Sequence, residues 1–267
     1  MITIREFLKA GSLEEAWKAN QKRPNRVLGG MGWMKMSSGN VSTAIDLSGL
    51  DLDQIQETED EFVVGAMATL RQFETHEGLN AYFDHAAQES VRHIVGVQFR
   101  NCATMGGSVW LRAGFSDPLT LLLAMDCTVE LYQGEDKLVQ IPIAEFCRQK
   151  PDNSILTAVH IQKTGRKIAY QSFRNTETDF PVLTCAAALT QEGVQAAVGA
   201  RPAKAALVKD AEQLATLPMT AEKAQAFAEY AAGLLPTETN PRGSAAYRTH
   251  LIKVLTARCL TELGGKA

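Results

Sequence analysis

The spacing of hydrophobic and polar positions near the amino terminus predicts a small α/β lobe. Ser12 and Glu15 stand three residues apart, so each side chain can accept a hydrogen bond from an unpaired main-chain N–H at a helix start. A helix is therefore expected through about Asn20. Two short extended runs rich in strand-forming residues follow, at Arg26–Leu28 and residues 43–47.

A second stretch begins with an apolar run at residues 62–65, which predicts a strand. Thr69 and Gln72 then repeat the capping pattern, so a helix is expected to begin there. Beyond it, apolar side chains recur at the spacing of one face of an amphipathic helix; these positions are Leu79, Tyr82, Phe83 and Ala86. We interpret this stretch as the opening of a second lobe.

The next segment predicts a helix followed by a β-hairpin. Asp117 stands where an N-cap is expected and Pro118 at the first helical position, where the missing N–H of proline costs nothing. Residues 119–125 should therefore be helical. Residues 128–132 and 137–141 are predicted to pair as a hairpin through the turn that contains Gly134.

After Pro151 the pattern changes to consecutive strands with short turns, predicted at residues 155–161, 167–173, 182–189 and 194–198. Alanine-rich segments from Ala203 onward are expected to be helical. The last helix carries Tyr247 and Leu251 on its apolar face, with Arg248 elsewhere. Strands followed by helices are typical of a separate α+β domain.

The predicted organisation is a first domain of residues 1–154, with lobes of about 1–55 and 56–154, followed by an α+β domain of residues 155–267.

The composition of the whole chain, 45% hydrophobic, is enough for a sizeable core. Lysine and arginine number 27 against 30 acidic residues, for a net charge of −3. No basic field therefore exists to attract nucleic acid or an anionic membrane.

The apolar runs of the chain are too short to predict a membrane-spanning segment. The longest, at residues 119–125 and 181–190, are short of the roughly 20 residues that cross a bilayer. An acidic residue within positions 1–6 is not typical of a secretion signal. We therefore expect a soluble, cytoplasmic protein without membrane insertion.

Cysteine and histidine spacing argues against a metal centre on this chain. The five cysteines are scattered and never show C-x-x-C spacing, as expected for reduced thiols. An iron–sulfur cluster needs about four thiolates, so such a cluster would belong to another chain. No H-E-x-x-H or G-x-S-x-G motif is present, which leaves zinc and hydrolase chemistry unsupported.

Two loops with adjacent glycines are the main candidates for ligand binding, at residues 28–33 and 103–108. Paired glycines let the main chain turn sharply and approach a ligand, because no side chain stands between the N–H groups and an anion. Two such loops facing each other would hold a diphosphate. Each loop alone is also compatible with an ordinary tight turn. Residues 30–35 lack the third glycine of the Rossmann fingerprint, and no P-loop motif occurs.

The surroundings of these loops resemble a known family. Residues 100–108, 116–119 and 122–127 are similar to the FAD-binding subunit or domain of the molybdenum hydroxylases, which include xanthine dehydrogenase and aerobic carbon monoxide dehydrogenase. The resemblance covers nearly the whole chain. Its other matching segments are residues 29–30 with Met34 and Lys35, residues 62–66, residues 155–157, Phe173 and Arg174 with Asp179 and Phe180, and residues 242–248.

The resemblance implies an FAD-binding domain in two lobes, of the vanillyl-alcohol-oxidase type, followed by an α+β domain. Both glycine loops would hold the pyrophosphate of FAD, Asp117 would bind adenosine-side hydroxyls or nearby loop amides, and Leu156 would lie beside the ring system. No catalytic acid or nucleophile is required on this chain. The implied FAD-binding residues are Leu28, Gly29, Gly30, Met31, Gly32, Trp33, Asn101, Thr104, Met105, Gly106, Gly107, Ser108, Asp117 and Leu156.

The resemblance also implies partners. An iron–sulfur subunit with [2Fe–2S] clusters would exchange electrons with the FAD, and an acceptor such as NAD would take them up. A large subunit would bind molybdopterin and hydroxylate the substrate. The expected complex is xanthine dehydrogenase-like and acts on an N-heterocycle such as a purine.

Several positions depart from the family pattern. The first loop has Met31, Gly32 and Trp33 where a hydroxyl or imidazole residue and a polar residue are usual, so the phosphates would rely on main-chain donors. Elsewhere, the departures are Ala158 for a glutamate, Ser172 for a lysine and Asn175 for an arginine. A structural subunit that has lost its flavin therefore stays an alternative, as does a stand-alone flavin oxidase or dehydrogenase.

Five large side chains near the loops are secondary candidates. Trp33, Trp110 and Phe115 could shield the flavin or fill the core. Arg100 and Arg112 could face phosphate or a partner's acidic surface, or be solvated.

Overall fold

The computed structural model describes residues 1–125 and 127–265. In those residues the strands are β1 Ile2–Lys9, β2 Arg26–Leu28, β3 Gly39–Asp46, β4 Ile55–Glu57, β5 Glu61–Gly65, β6 Thr128–Tyr132, β7 Leu138–Pro142, β8 Ile155–Gln162, β9 Lys167–Phe173, β10 Leu183–Thr190, β11 Gly193–Gly199 and β12 Ala206–Lys209. The helices are α1 Leu13–Asn20, α2 Leu70–Thr75, α3 Glu77–Tyr82, α4 Ala86–Val91, α5 Val97–Arg100, α6 Met105–Trp110, α7 Asp117–Met125, α8 Ile143–Arg148, α9 Ala221–Leu234 and α10 Ala245–Gly264. Asp126, part of a segment that resembles the family, lies outside the described residues.

The chain forms two compact units from interleaved stretches. The first unit contains residues 1–73, 97–111 and 127–161, and the second contains the described parts of residues 74–96, 112–126 and 162–267. The mixed α+β class expected from the sequence is confirmed. A division at residue 154 stays a prediction, and the structure adds that β8, just beyond it, pairs within a sheet of the first unit.

The amino-terminal lobe of the first unit is a three-stranded parallel sheet in the order β1-β3-β2. Strand β3 is central and its Ala44 and Ile45 are fully buried, which explains why it was recognisable as an apolar run. Helix α1 packs on this sheet. Strand β1 was not predicted, because it lies at the sheet edge and most of its side chains are exposed.

A five-stranded sheet forms the rest of the first unit, in the order β4-β5-β8-β6-β7. Strands β6 and β7 are the predicted hairpin, with Val129 opposite Ile141. Strand β8 occupies the centre and is buried over seven of its eight residues. An apolar run of that kind indicates a central strand but does not reveal which sheet it joins.

The second unit is built on a four-stranded antiparallel sheet in the order β12-β11-β10-β9. Helices α9 and α10 cover one face with a core that includes Phe227 and Leu260. Helix α7 lies on the opposite face, where the hydroxyls of Thr120 and Thr184 are 2.9 Å apart. Strand β10 is buried along its length because helices cover both faces.

The helix starts follow the predicted chemistry with two corrections. Thr69 and Gln72 cap reciprocally, with N–H to side-chain distances of 2.8 and 3.1 Å. Ser12 caps α1, but the Glu15 carboxylate accepts from Gly11 at 2.7 Å rather than from Ser12. At α7 the predicted N-cap Asp117 is wrong, because the Ser116 hydroxyl accepts from the N–H of Leu119 at 3.3 Å.

Three further predictions from periodicity are wrong. The segment after Ala203 contains β12, whose short apolar run pairs with β11. The stretch through Ala86 is not one amphipathic helix, since Asp84 and His85 have positive φ and separate α3 from α4. Arg248 is not on a polar face: it is fully buried, and its guanidinium donates to the carbonyls of Val182 and Glu238. Periodicity assigns charged residues to solvent and cannot identify a buried arginine satisfied by carbonyl groups.

No described helix is both long enough and apolar enough to cross a bilayer.

Candidate functional site

The first glycine loop begins where β2 ends. Leu28 is buried in a small apolar cluster against which Met31 and Met34 pack. A Cβ atom at Gly30 would overlap the main chain at Cys102, and one at Gly32 would lie 2.6 Å from the ring of Phe99. Only glycine therefore lets this loop approach the segment that precedes α6.

Met31, which stands between two glycines, has a left-handed main chain with φ of 55°. Such a conformation is uncommon outside glycine and costs about 1 kcal/mol or more. Its side chain is half-buried against the Leu28 cluster. The methionine that replaces a polar family residue is thus an apolar anchor of the loop.

The second glycine loop is the amino-terminal turn of α6. Thr104 is the N-cap, and its hydroxyl accepts from the N–H of Gly107 at 3.1 Å. Gly106 presses on the main chain after β5: a Cβ there would be 2.6 Å from the carbonyl oxygen of Ala66. The capping threonine and the glycine contact together fix α6 to the five-stranded sheet.

The two glycine loops lie against each other, which is the arrangement that a shared diphosphate site requires. A Cβ atom at Gly29 would be 2.8 Å from the Thr104 hydroxyl and 3.8 Å from the Cα of Gly107. Both loops belong to the first unit. Gly29 and Gly30 are therefore needed for the close approach of the first loop to the second loop and to the residues just before it.

The two loops differ in which main-chain N–H groups are engaged. In the second loop, Met105 donates to Ala68 and Gly106 to Ala66, both at 2.8 Å, and Ser108 donates to Thr104 at 3.1 Å. In the first loop, the N–H groups at positions 30, 31 and 32 donate to no acceptor within residues 1–125 and 127–265. A polar main chain normally finds a partner, so these donors fit an anionic ligand or water.

The flanking residues of the loops are partly exposed. Asn101 and Gly107 are exposed, whereas Met105 is fully buried. The indole of Trp33 is 49% exposed. Trp110 packs on Phe146 with ring centroids 6.0 Å apart, which favours the core role for this tryptophan.

Arg100 and Arg112 are 5% and 6% exposed, which argues against the solvated alternative for both side chains. In the second unit, Phe115 meets Phe180 edge to face at 4.7 Å. This contact explains Phe115 as a packing residue of that unit.

Asp117 belongs to the second unit and is almost completely buried. Its Oδ1 accepts from the hydroxyl of Tyr170 and from Nη2 of Arg174, both at 2.6 Å. Burial raises the pKa of the Asp117 carboxyl, although both partners act in the opposite direction. The same burial raises the pKa of Tyr170 well above its ordinary value. The contacts already made by Asp117 were not foreseeable from sequence; its adenosine-side role stays a prediction.

Leu156 is 6% exposed and lies opposite Leu131 in the sheet of the first unit. Ala158, which stands where a glutamate is usual in the family pattern, is also buried in β8. In the second unit, Ser172 accepts a hydrogen bond from Arg174, and Asn175 donates to the carbonyl of Arg242 at 3.0 Å. Ser172 and Asn175, which both differ from the family pattern, thus form hydrogen bonds within the second unit.

Sequence reasoning missed the surfaces against which the glycines pack, namely Ala66, Phe99 and the carbonyl of Cys102. The small side chain of Ala66, directly after β5, is a sequence feature that fits such a close contact. No group of three His, Cys, Asp or Glu side chains that could hold a metal ion lies together in the described parts of the chain.

Comparison with known proteins identifies the class. Residues 3–164 match the family model for the FAD-binding domain in molybdopterin dehydrogenase, and residues 168–263 match that for the carbon monoxide dehydrogenase flavoprotein C-terminal domain. The chain belongs to this family, as an oxidoreductase component with an FAD-binding domain. The main-chain N–H groups at positions 30–32, which have no acceptor among the described residues, and the contacting glycine loops fit the diphosphate of that cofactor.

Individual relatives cover the chain almost end to end. The uncharacterised Escherichia coli protein YgfM is 26% identical over 259 residues, 95% of this chain and 94% of its own. The nicotine 6-hydroxylase medium subunit of Paenarthrobacter nicotinovorans is 25% identical, covering 87% of this chain and 86% of its own. A structure of carbon monoxide dehydrogenase from Hydrogenophaga pseudoflava aligns with a TM-score of 0.88 at 21% identity, covering 98% of this chain and 97% of that one.

Proposed function

We propose that this chain is the FAD-carrying electron-transfer subunit of a molybdenum hydroxylase complex. It relays electrons between the [2Fe–2S] clusters of a partner subunit and an external acceptor such as NAD. A separate large subunit binds molybdopterin and hydroxylates the substrate. The family models, which together reach from residue 3 to residue 263, support the assignment.

The observation that carries this proposal is the row of unengaged N–H groups at positions 30–32, in a loop packed on a second glycine loop. FAD, when bound, supplies the electron chemistry, and the protein supplies binding and orientation. The first loop holds the diphosphate with main-chain donors. Each such charge-assisted bond contributes about 1.5–3 kcal/mol, so no lysine or arginine is needed at the phosphates.

For the substrate of the complex we propose an N-heterocycle such as a purine, in a xanthine dehydrogenase-like reaction in the cytoplasm. The nicotine 6-hydroxylase relative supports the heterocycle, because nicotine is one. The substrate itself is bound by the large subunit in this proposal, so the residues of this chain do not select it.

Flavin content tests the proposal directly. The full chain, purified with its co-expressed partners, should show oxidised-flavin absorption and release one FAD per copy on denaturation, identified by chromatography. Anaerobic addition of a purine should bleach the flavin absorption, and NAD should restore it. A colourless complex that releases no FAD would contradict the assignment, and restoration by oxygen or a dye but not by NAD would contradict the acceptor.

A flavin-free structural subunit is the second candidate, favoured by one observation. Four second-loop N–H groups, at positions 105–108, already have acceptors within the chain and so do not need a ligand. This candidate predicts a stable assembly with well under one FAD per copy.

A further inference from the structure

Helix α1 connects the two parts of the first unit that carry the glycine loops. The first loop continues from β2, which pairs with β3 in the sheet on which α1 packs. The second loop forms the start of α6, which packs on β5 of the five-stranded sheet. Any contact between α1 and the five-stranded sheet therefore bears on how the two loops are spaced.

The amino-terminal end of α1 is tied to the tip of the β6–β7 hairpin. Oε2 of Glu14 accepts from the hydroxyl of Tyr132 at 2.7 Å and from the N–H of Glu135 at 3.0 Å. The other oxygen of Glu14 pairs with Lys18 at 3.0 Å, one helical turn along. The Tyr132 hydroxyl in turn accepts from the N–H of Asp136 at 3.1 Å. The Glu14 carboxylate therefore contacts the hairpin turn directly at Glu135 and indirectly, through Tyr132, at Asp136.

Packing reinforces this contact. The ring of Trp17 lies against Gly134, where a Cβ atom would be 2.7 Å from the indole. At the other end of α1, the side-chain amides of Asn20 and Gln21 both donate to the carbonyl of Asn153, at 3.0 and 3.1 Å. Residue 153 lies two positions before the start of β8. Helix α1 is thus held at both ends by the segment of chain that builds the five-stranded sheet.

A shared apolar core lies between these polar ends. It joins Ala16 of α1 and Ile45 of β3 to Tyr132 of β6 and Ile155 of β8. The Tyr132 ring is part of this core while its hydroxyl reaches Glu14, so one residue takes part in both the packing and the polar contact. The hydrogen bonds lower the pKa of Glu14, which keeps the acceptor ionised at neutral pH.

We propose that the Glu14–Tyr132 hydrogen bond is a positioning contact for FAD: it fixes the first glycine loop at the distance from the second loop that the diphosphate requires. This inference rests on the proposed FAD-binding function. Its physical basis is that a displacement of about 1 Å in a binding site can cost large factors in affinity even when it arises far from the ligand.

The test is an FAD titration of the flavin-stripped full chain, at a temperature where circular dichroism shows every variant folded. Tyr132→Phe removes one hydroxyl and should weaken FAD binding about three- to tenfold, with altered resolution of the flavin absorption bands. Glu14→Ala should do the same, and the double variant should be no weaker than either single variant. Glu14→Gln keeps an acceptor oxygen at the same reach and should recover most of the affinity.

Tyr230→Phe is the matched control, because it deletes a tyrosine hydroxyl on α9 of the second unit, and its FAD affinity should equal that of wild type. If Tyr132→Phe lowers the melting temperature but leaves the FAD Kd and spectrum unchanged, the contact is only structural and the inference is wrong. If wild type itself binds no FAD, the proposed function fails instead, so the two failures are distinguishable.

Discussion

The two glycine loops look alike in sequence but do different things in the structure. The second loop is closed: its N–H groups bond within the first turn of α6 or to the segment that follows β5, and Gly106 packs closely on Ala66. The first loop is open, with N–H groups at positions 30–32 that donate to nothing in the described chain. Adjacent glycines therefore indicate close main-chain approach, and only the surrounding hydrogen bonds distinguish a packing glycine from a ligand-binding loop.

The largest effect is expected for Gly30→Ala. The added Cβ overlaps the main chain at Cys102, so the first loop must move away from the second and carry its N–H groups with it. We expect FAD affinity to fall by about a hundredfold or more. Isothermal titration calorimetry of the flavin-stripped chain with FAD measures this affinity.

Gly233→Ala is the control for that substitution. Nothing lies within 4 Å of a Cβ at this helical position, so alanine should be neutral or stabilise α9 by up to about 1 kcal/mol. Wild-type affinity in Gly30→Ala would show that the loop contact is not needed for the cofactor.

A pair of substitutions in the second loop separates packing from binding. Gly106→Ala places a Cβ against the Ala66 main chain and should destabilise the first unit by about 1–3 kcal/mol in urea unfolding. Gly107→Ala meets only the Thr104 hydroxyl at 3.2 Å and should cost much less. Equal costs for the two would mean that the second loop is not held by its contact with the sheet.

Removal of the N-cap is expected to have a moderate effect. Thr104→Ala leaves the N–H of Gly107 without its acceptor and should cost about 1 kcal/mol of stability, measured by chemical denaturation. Thr220→Ala removes the equivalent cap from α9 in the second unit and should cost a similar amount. Only Thr104→Ala should also alter FAD affinity, because Thr104 touches the first loop; an equal response of both variants would contradict this.

The smallest effect is expected for Met31→Gly. Glycine adopts the left-handed main chain without strain, which should raise the free energy of unfolding by about 1 kcal/mol. Two effects offset this gain: glycine has more conformational freedom in the unfolded chain, and the packing of the methionine on Leu28 is lost. FAD affinity should stay within about threefold of wild type, because main-chain N–H groups and not the methionine side chain bind the phosphates. A loss of more than tenfold would assign a direct role to the side chain.

Much of this organisation could be predicted because it is local. Strands β2, β5 and β6, the Thr69 cap and both glycine loops depend on residues within a few positions of one another. Facing loops were the condition for a diphosphate site, and the structure shows the two loops in contact. Edge strand β1 was missed because its exposed side chains carry no apolar alternation.

Contacts between distant residues could not be predicted. Arg248 donates to the carbonyl of Val182, which directly precedes β10. Asp117 accepts from Tyr170 and Arg174. In each case the partner is more than 50 residues away. The sequence likewise does not reveal that the second loop's N–H groups are already engaged. Their acceptors on Ala66 and Ala68 become visible only once α6 is placed on the sheet.

The most direct test compares ligands that share parts of FAD. If main-chain N–H groups of the first loop grip the diphosphate, the flavin-stripped chain should bind FAD at least about a hundredfold more tightly than riboflavin, which lacks phosphate. ADP should compete with FAD for the same site. Equal affinity for riboflavin and FAD, with no competition by ADP, would contradict the account.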